Sequence, residues 1–580
     1  MKEHYSDEKS VQILVAILKA NGIKKAVVSP GTTNMAFARS MQNDPFFELY
    51  SAVDERSAAY MACGLAEETG EAVVISCTGA TASRNYLPGL TEAFYRKLPI
   101  LAVTSSQDIA KIGHHSAQLI DRTQKPKDAA KLSVHLPIVK DNDDFWASEV
   151  KINTAVLELF RNGGGPVHIN LTTAYSKIYD VHKLPAVRAM KRFVSADELP
   201  AIGQRKTAIF VGSHPRMSKE LIAAIDRFCA VYDAVVFCDH TSGYYGKYKV
   251  VHSLSSSQSH ANYNDLSPSL TIHIGEVTGD YSAGRVIGNE VWRVNEDGEI
   301  RDTFRKLTNT FQMSEVEFFS RYADNKAAVV STYLAAWQLH LNEIRQKIPE
   351  ISFSNLWVAA KSHAAVPKNS VIHFGILNSL RSWNFFELPE GIHSYSNVGG
   401  FGIDGCVSSL LGASLANCNK LYFCVVGDLA FFYDMNSLGN RHVGRNIRVM
   451  LINNGIGTEF KNFNHSAAAF GDSADEFHAA GGHFGNKSKT LVKHYAEDLG
   501  FEYLSATSKE EFLNVYQRFF TSELTDKPIL FELFTDSQEE SDALEAMTSF
   551  CTTAEGKAKQ VVKGILGDKG IRVMKGILNR

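Results

Sequence analysis

The chain has 580 residues, more than one hydrophobic core accommodates, so a protein of several domains is expected. With 44% hydrophobic residues, 21% charged residues and a net charge of −3, it reads as a globular protein with no electrostatic basis for nucleic acid as its partner. The amino terminus MKEHYSDEKS carries no apolar signal segment and the chain has no long apolar run, so a soluble, cytoplasmic protein is expected. Eight cysteines are scattered without a C-x-x-C pair or zinc spacing, which favours reduced, buried thiols.

In chain order, Ser6 or Asp7 is placed to cap a first helix whose Val11, Leu14, Val15 and Leu18 share one face. A strand at 25–29 leads into Pro30-Gly31-Thr32-Thr33, a turn with free backbone N–H groups. Residues 50–66 read as a strand end and then a helix of small residues. Asp54 and Glu55 stand at its start, where exposed N–H groups favour carboxylates. A strand at 72–76 runs into Cys77-Thr78-Gly79-Ala80, and Arg84, Asn85 and Pro88 follow. Strands at 99–104 and 165–171 flank a loop containing Gly113-His114-His115-Ser116-Ala117-Gln118. Residues 179–200 read as a charged linker. The middle part has strands at 207–212, 234–238 and 270–275, and its turn Gly212-Ser213-His214-Pro215 could cradle a phosphate. No G-x-G-x-x-G supports a dinucleotide.

The third part brings a strand at 370–374, then Asn378-Ser379-Leu380-Arg381, Tyr395-Ser396-Asn397 and Gly402-Ile403-Asp404-Gly405. Residues 421–460 are the stretch around which the chain is organised. An apolar strand at 422–426 runs into Gly427-Asp428, a helical crossover intervenes, and a second strand at 449–452 ends at Asn453-Asn454-Gly455. In a parallel sheet such strand tips form the crevice where α/β folds bind ligands. Asp428 and Asn454 offer hard oxygens suited to Mg²⁺ held with a diphosphate, the alternative being an ordinary β-α-β unit with two capping residues. Glu459, Lys461 and His465 then begin a further helix, and a strand at 529–534 closes this part. At the end, QVVKGILG and RVMKGILN repeat within a basic tail, a candidate for contact with an anionic membrane face or a partner helix, or for a subunit clasp.

G-D-x followed, about twenty-five residues on, by N-N resembles the metal–diphosphate signature of thiamin diphosphate (ThDP) enzymes. Leu429 stands where most of them have glycine. The strings GDLAFFYDMNSL and Y-S-N-x-G-x-x-G-I-D-G (from Tyr395) resemble the menaquinone-pathway carboligases, which join decarboxylated 2-oxoglutarate to isochorismate. D-E-R-S-A-x-x-x-A-x-G-L-A from Asp54 resembles the stretch that holds their catalytic glutamate.

The resemblance implies an α/β fold of three doubly wound parallel-sheet domains, with 1–180 binding the pyrimidine, 181–345 serving as scaffold, 346–548 binding diphosphate and Mg²⁺, and 549–580 forming the tail. It implies Mg²⁺ on Asp428, Asn454 and the Ile456 carbonyl, and Glu55 hydrogen-bonded to the pyrimidine N1′ so that the coenzyme can activate itself. Ile403 would be the wedge that bends the cofactor. Gly31, Thr32, Thr78, Gly79, Asn85, Asn378, Gly402, Gly427, Leu429 and Ala430 would line it. Gln118 matches a glutamine facing the substrate, and His114-His115 is similar to the paired histidines of pyruvate-decarboxylase-type enzymes. Arg84, Arg381, Glu459, Lys461 and His465 are substrate candidates. The glutamate and diphosphate sites of such enzymes come from different subunits, so a dimer or a dimer of dimers is implied.

Three arginine positions of the carboligases are changed here. Their S-R becomes Thr32-Thr33, their T-A-D-R-P becomes Thr104-Ser105-Ser106-Gln107-Asp108, and the arginine of their Y-S-N-R becomes Val398. Because bidentate arginines are the strong way to hold carboxylates, the expectation is a ThDP/Mg²⁺ decarboxylase-carboligase that joins a 2-oxo acid donor to an unidentified acceptor other than isochorismate. A non-ligating decarboxylase that releases an aldehyde, and a catalytically silent ThDP-binding scaffold, are the alternatives.

Overall fold

A computed structural model of the chain describes residues 4–551 apart from 260–262, 264 and 484–486, and the tail repeats fall outside these. Strands and helices alternate, and the strands form parallel sheets, because each helical crossover returns the chain to the same edge direction. The first sheet holds β1 (Lys25–Val28), β2 (Glu48–Ser51), β3 (Val73–Cys77), β4 (Ile100–Ser106), β5 (Ser133–Leu136) and β6 (Val167–Thr172), in the order β2-β1-β3-β4-β6-β5. Strands β3, β4 and β6 are buried along their whole length, as continuous apolar runs between two helical layers must be.

The chain divides into two compact units, residues 1–199 with 297–312 and residues 200–296 with 313–580. The first unit also holds β7 (Lys191–Val194), which lies inside the segment expected to be linker and pairs in parallel with a strand over a hundred residues later. The second holds the parallel series β10-β9-β8-β11-β12, made of β8 (Thr207–Val211), β9 (Val235–Cys238), β10 (Lys249–Val251), β11 (Leu270–Ile274) and β12 (Glu290–Val294). The partner of β7 is β13 (Leu307–Gln312). The last sheet, also in the second unit, runs β15-β14-β16-β17-β19-β18. Its strands are β14 (Val371–Phe374), β15 (His393–Ser396), β16 (Tyr422–Gly427), β17 (Ile447–Asn453), β18 (Glu502–Ala506) and β19 (Ile529–Phe534).

In the first and last sheets the strand order reverses beside the first strand: β1 lies between β2 and β3, and β14 lies between β15 and β16. Such switch points open a crevice beyond the carboxyl ends of the strands. The two crevices fall at the Gly31 and Thr78 turns in one sheet and at the Asn378 and Asp428 turns in the other.

One local detail differs from expectation. The first helix, Lys9–Ala20, is not capped by Ser6 or Asp7. Its N-cap is Glu8, whose carboxylate instead accepts from the Ala174 and Ser176 backbone N–H groups. The turn at Gly212 is a packing feature, since a Cβ there would lie 2.1 Å from the Glu276 carbonyl oxygen, and His214 pairs with Glu315. The small-residue helix Glu55–Thr69 begins at an Asp54 cap that accepts from the Arg56 N–H. It packs so closely on the helix Leu87–Tyr95 that a Cβ on Gly89 would meet the Ala59 Cβ at 2.4 Å. Among the described residues no helix is long and apolar enough to cross a membrane.

Arg188 closes the first unit. It donates to the Glu149 carboxylate and lies 2.8 Å from an Asp302 oxygen that also accepts from the Trp146 indole. Both carboxylates are buried. Arg188→Ala strands two buried charges and is expected to lower stability by about 3–5 kcal/mol, read from denaturant midpoints. Adding Glu149→Gln and Asp302→Asn should restore part of that loss.

Candidate active site

The tips of β16 and β17 are joined by one carboxylate. Asp428 opens the helix Asp428–Asp434 directly after β16 and is 5% exposed. Its Oδ1 accepts from the Leu429 N–H at 2.7 Å and its Oδ2 from the Gly455 N–H at 2.5 Å, across the strand gap. Gly455 has φ +75°, the left-handed geometry that lets the chain turn back under Asp428. Asn454 Oδ1 accepts from the Ile456 N–H. Burial pushes the Asp428 carboxyl up to about 6, and the surrounding N–H groups offset this only in part.

These tips line a cleft enclosing about 670 Å³. Asn378, Ile403, Gly427, Asp428, Leu429, Ala430, Asn454, Ile456 and Glu459 all border it, so nine expected site residues from separate segments are brought together. Ile403 is backed by the core beneath β16. Leu429 occupies room left by Gly457, where a Cβ would come within 3.4 Å of it. Gly402 is not in the lining, and a Cβ there would strike the Asp404 carboxylate.

The cleft is lined by three carboxylates, Asp428, Glu459 and Glu540, and by no lysine, arginine or histidine among the described residues. A diphosphate could not share that space without a cation. Asp428, Asn454 and the Ile456 carbonyl are the hard oxygen donors Mg²⁺ takes, with positions left for phosphate oxygens and water. The apolar walls Ile403, Leu429, Ile452 and Phe460 suit the rings of ThDP. The residues present therefore fit both groups.

Glu540 and Asn355 were not expected. Glu540 is buried, accepts from the Asn355 N–H at 2.9 and 3.1 Å, and is pushed by burial up to about 7. Its signal was the spacing of Glu540 with Ala543, Leu544 and Met547 on one helix face. Arg381 holds Glu459 in a two-point pair at 2.9 and 3.0 Å. Lys461 and His465 are drawn into structural contacts: Lys461 pairs with Asp475, and His465 caps the following turn and packs edge-on against Phe460.

The other half-site lies in the first unit. Gly31 sits against Thr78, where a Cβ would meet the Thr78 Cβ at 2.5 Å, and Thr33 bonds to both the Thr78 hydroxyl and the Ser105 carbonyl. The loop carrying Gln118 crosses directly over Gly79. His115 and Gln118 adopt left-handed φ of 54° and 63°, rare for such residues and often associated with functional loops. Thr32, Arg84, Asn85, His114, His115 and Gln118 are exposed, and Glu55 is half-buried at its helix start. Sequence reasoning missed Arg122. This buried guanidinium donates to the Ser105 carbonyl at 3.1 Å and the Thr78 carbonyl at 3.4 Å.

Residues 9–125 match the model of the thiamine pyrophosphate enzyme N-terminal TPP-binding domain. A 2-succinyl-5-enolpyruvyl-6-hydroxy-3-cyclohexene-1-carboxylate synthase of Phocaeicola vulgatus is 30% identical, over 93% of this chain and 98% of its own. Synthases of the same name from Bacteroides thetaiotaomicron (28%, 93% and 98%) and Flavobacterium johnsoniae (26%, 78% and 84%) also match. The chain belongs to the thiamin diphosphate-dependent enzymes, in the family of these synthases.

This finding overturns the exclusion of isochorismate. The ring named in the relatives' product, with its enolpyruvyl, hydroxyl and carboxylate groups, is the acceptor that had been set aside. The exclusion compared arginines position by position, and a cation can reach an altered stretch from another segment. Arg122 reaches the Ser105 backbone inside one of the altered segments. Val398 packs by its Cγ1 at 2.8 Å from where a Gly279 Cβ would stand, in a wall that also carries Arg381.

Asp428 would have to lose its proton to hold a cation, so if Mg²⁺ binds there ThDP affinity in its presence should fall as pH drops through about 6. The slope should approach roughly tenfold per pH unit. Calorimetry near that pH, in buffers of different ionisation heat, should register proton release that Asp428→Asn abolishes.

Proposed function

We propose that this chain is a magnesium- and ThDP-dependent carboligase that joins the decarboxylated remainder of 2-oxoglutarate to isochorismate. The observation that supports this most is an acid-lined, cation-requiring cleft in a chain matched along 98% of their length by relatives named for that ring product. The product name states the chemistry, since a succinyl group is what a five-carbon 2-oxo diacid leaves after losing carbon dioxide.

When bound, ThDP would supply the nucleophilic carbon and the electron sink that decarboxylation of a 2-oxo acid requires. The chain's own residues then have separate tasks. Asp428, Asn454 and the Ile456 carbonyl hold Mg²⁺, which offsets repulsion between the diphosphate and the carboxylates Glu459 and Glu540. Ile403 and Leu429 would give the cofactor apolar contact and so hold it in place, a proximity device. Glu55 holds a proton toward the pyrimidine N1′. Gln118, His114 and His115, on the strained loop over Gly79, orient the 2-oxo acid and move its proton.

Glu55 and the Mg²⁺ cleft belong to different compact units. Val53, Tyr60 and Met61 beside Glu55 are exposed apolar side chains. A second copy of the chain covering that face would complete each site, so the working form in this reading is a homodimer or a dimer of dimers in the cytoplasm.

The test is formation of the succinylated ring from 2-oxoglutarate and isochorismate, with carbon dioxide released in equal amount. Glu55→Gln should lower kcat by about 10²–10⁴-fold while calorimetric ThDP uptake persists. Wild-type protein forming no ring product would contradict the reading, and unchanged turnover in Glu55→Gln would contradict the role of Glu55.

A further inference from the structure

Beside the cofactor cleft, within the same unit, lies a second chamber of about 970 Å³. Its wall toward the cleft is the Arg381–Glu459 pair, with Arg381 lining the chamber and Glu459 lining the cleft. A second arginine, Arg285, lines the chamber and is oriented by donating to the Ser256 and Gln258 carbonyls at 3.1 and 2.7 Å. It makes no ion pair among the described residues. Tyr281 and Phe463 provide aromatic surface, and the Arg381 guanidinium lies 6.0 Å from the Tyr281 ring. Ser257 and Asn384 add neutral hydrogen-bonding groups, and the one lining carboxylate among the described residues, Asp280, accepts from the Ser282 N–H and hydroxyl and lies 3.8 Å from His252.

The pairing of aromatic surface with two separated guanidinium groups suits a ring carrying more than one carboxylate. One of those guanidinium groups already holds a carboxylate by two points, the geometry used for carboxylate recognition. That carboxylate belongs to Glu459, half-buried at the boundary between the two cavities.

We infer that Glu459 rests on Arg381 as an internal stand-in for a substrate carboxylate, and that the ring acceptor enters this chamber by displacing it, held by Arg381 and Arg285. Identifying the occupant as the acceptor rests on the function proposed above; the displacement itself does not. Entry of the acceptor frees the Glu459 carboxylate within the cofactor cleft, so the two cavities are coupled through one ion pair. Arg285 and Arg381 here supply charge that Val398 cannot.

The distinguishing test is one of sign. ThDP- and Mg²⁺-loaded protein without donor is titrated calorimetrically with isochorismate and with isophthalate, a rigid ring dicarboxylate that cannot react. Arg381→Gln and Arg285→Gln should weaken both by at least about tenfold, whereas Glu459→Gln, by removing the internal competitor, should tighten both by about threefold or more. Arg381→Lys, which keeps the charge but not the two-point geometry, should fall between wild type and Arg381→Gln, and melting temperatures identify any variant that fails to fold. Weakening by both Glu459→Gln and Arg381→Gln, as a purely structural ion pair would give, overturns the inference. So does failure of either ligand to bind both wild type and Glu459→Gln. Opposite signs without ring product from 2-oxoglutarate would leave the displacement standing and remove the functional reading. Ring product with shifts of the same sign would do the reverse.

Discussion

The carboxylate of Asp428 is the constraint on which the rest of the site depends. It is buried at the switch point of the last sheet, tied by hydrogen bonds to the helix it opens and to the turn after the neighbouring strand. Burial, only partly offset by backbone N–H groups, raises its pKa to about 6, a costly position for a group in a cleft with two more acids and no basic side chain among the described residues. In the proposed function a divalent cation would relieve that cost and, at the same time, make an acidic cleft hospitable to a diphosphate. Fold and chemistry meet there: the crossover sets two strand tips side by side, and the tips present the oxygens.

The two half-sites use the same device. In each sheet the first strand lies between its neighbours, and the chain leaves its tip through a turn that packs against the turn after the third strand. Gly31 against Thr78 and the segment from Gly375 to Asn378 beside Asp428 are the two instances. Their distribution over separate compact units gives the proposed pairing of subunits its physical motive.

Much of this was legible in the chain itself. Strand-then-turn chemistry is local, so Gly427-Asp428, Asn454-Gly455 and the Asn378 turn could be read from runs of apolar residues ending in small and polar ones. What escaped reading was supplied from far along the sequence. Glu540 and Asn355 meet across 185 residues, and Arg122 reaches the carbonyls of Ser105 on one strand and of Thr78 in the turn after another. The strand Lys191–Val194 passed for linker because two basic residues open it and its pairing partner is distant. The substrate exclusion failed for the same reason: a position that loses an arginine loses only one source of charge, and folding can bring another from elsewhere.

The most direct test of the central claim is thermal melting of the purified protein with ThDP, in Mg²⁺ and in excess chelator, for wild type and for Asp428→Asn. The account predicts a melting temperature raised by several degrees only when wild type, ThDP and Mg²⁺ are present together, since a ligand stabilises only the state that binds it. An equal rise in chelator, or in Asp428→Asn, would contradict it.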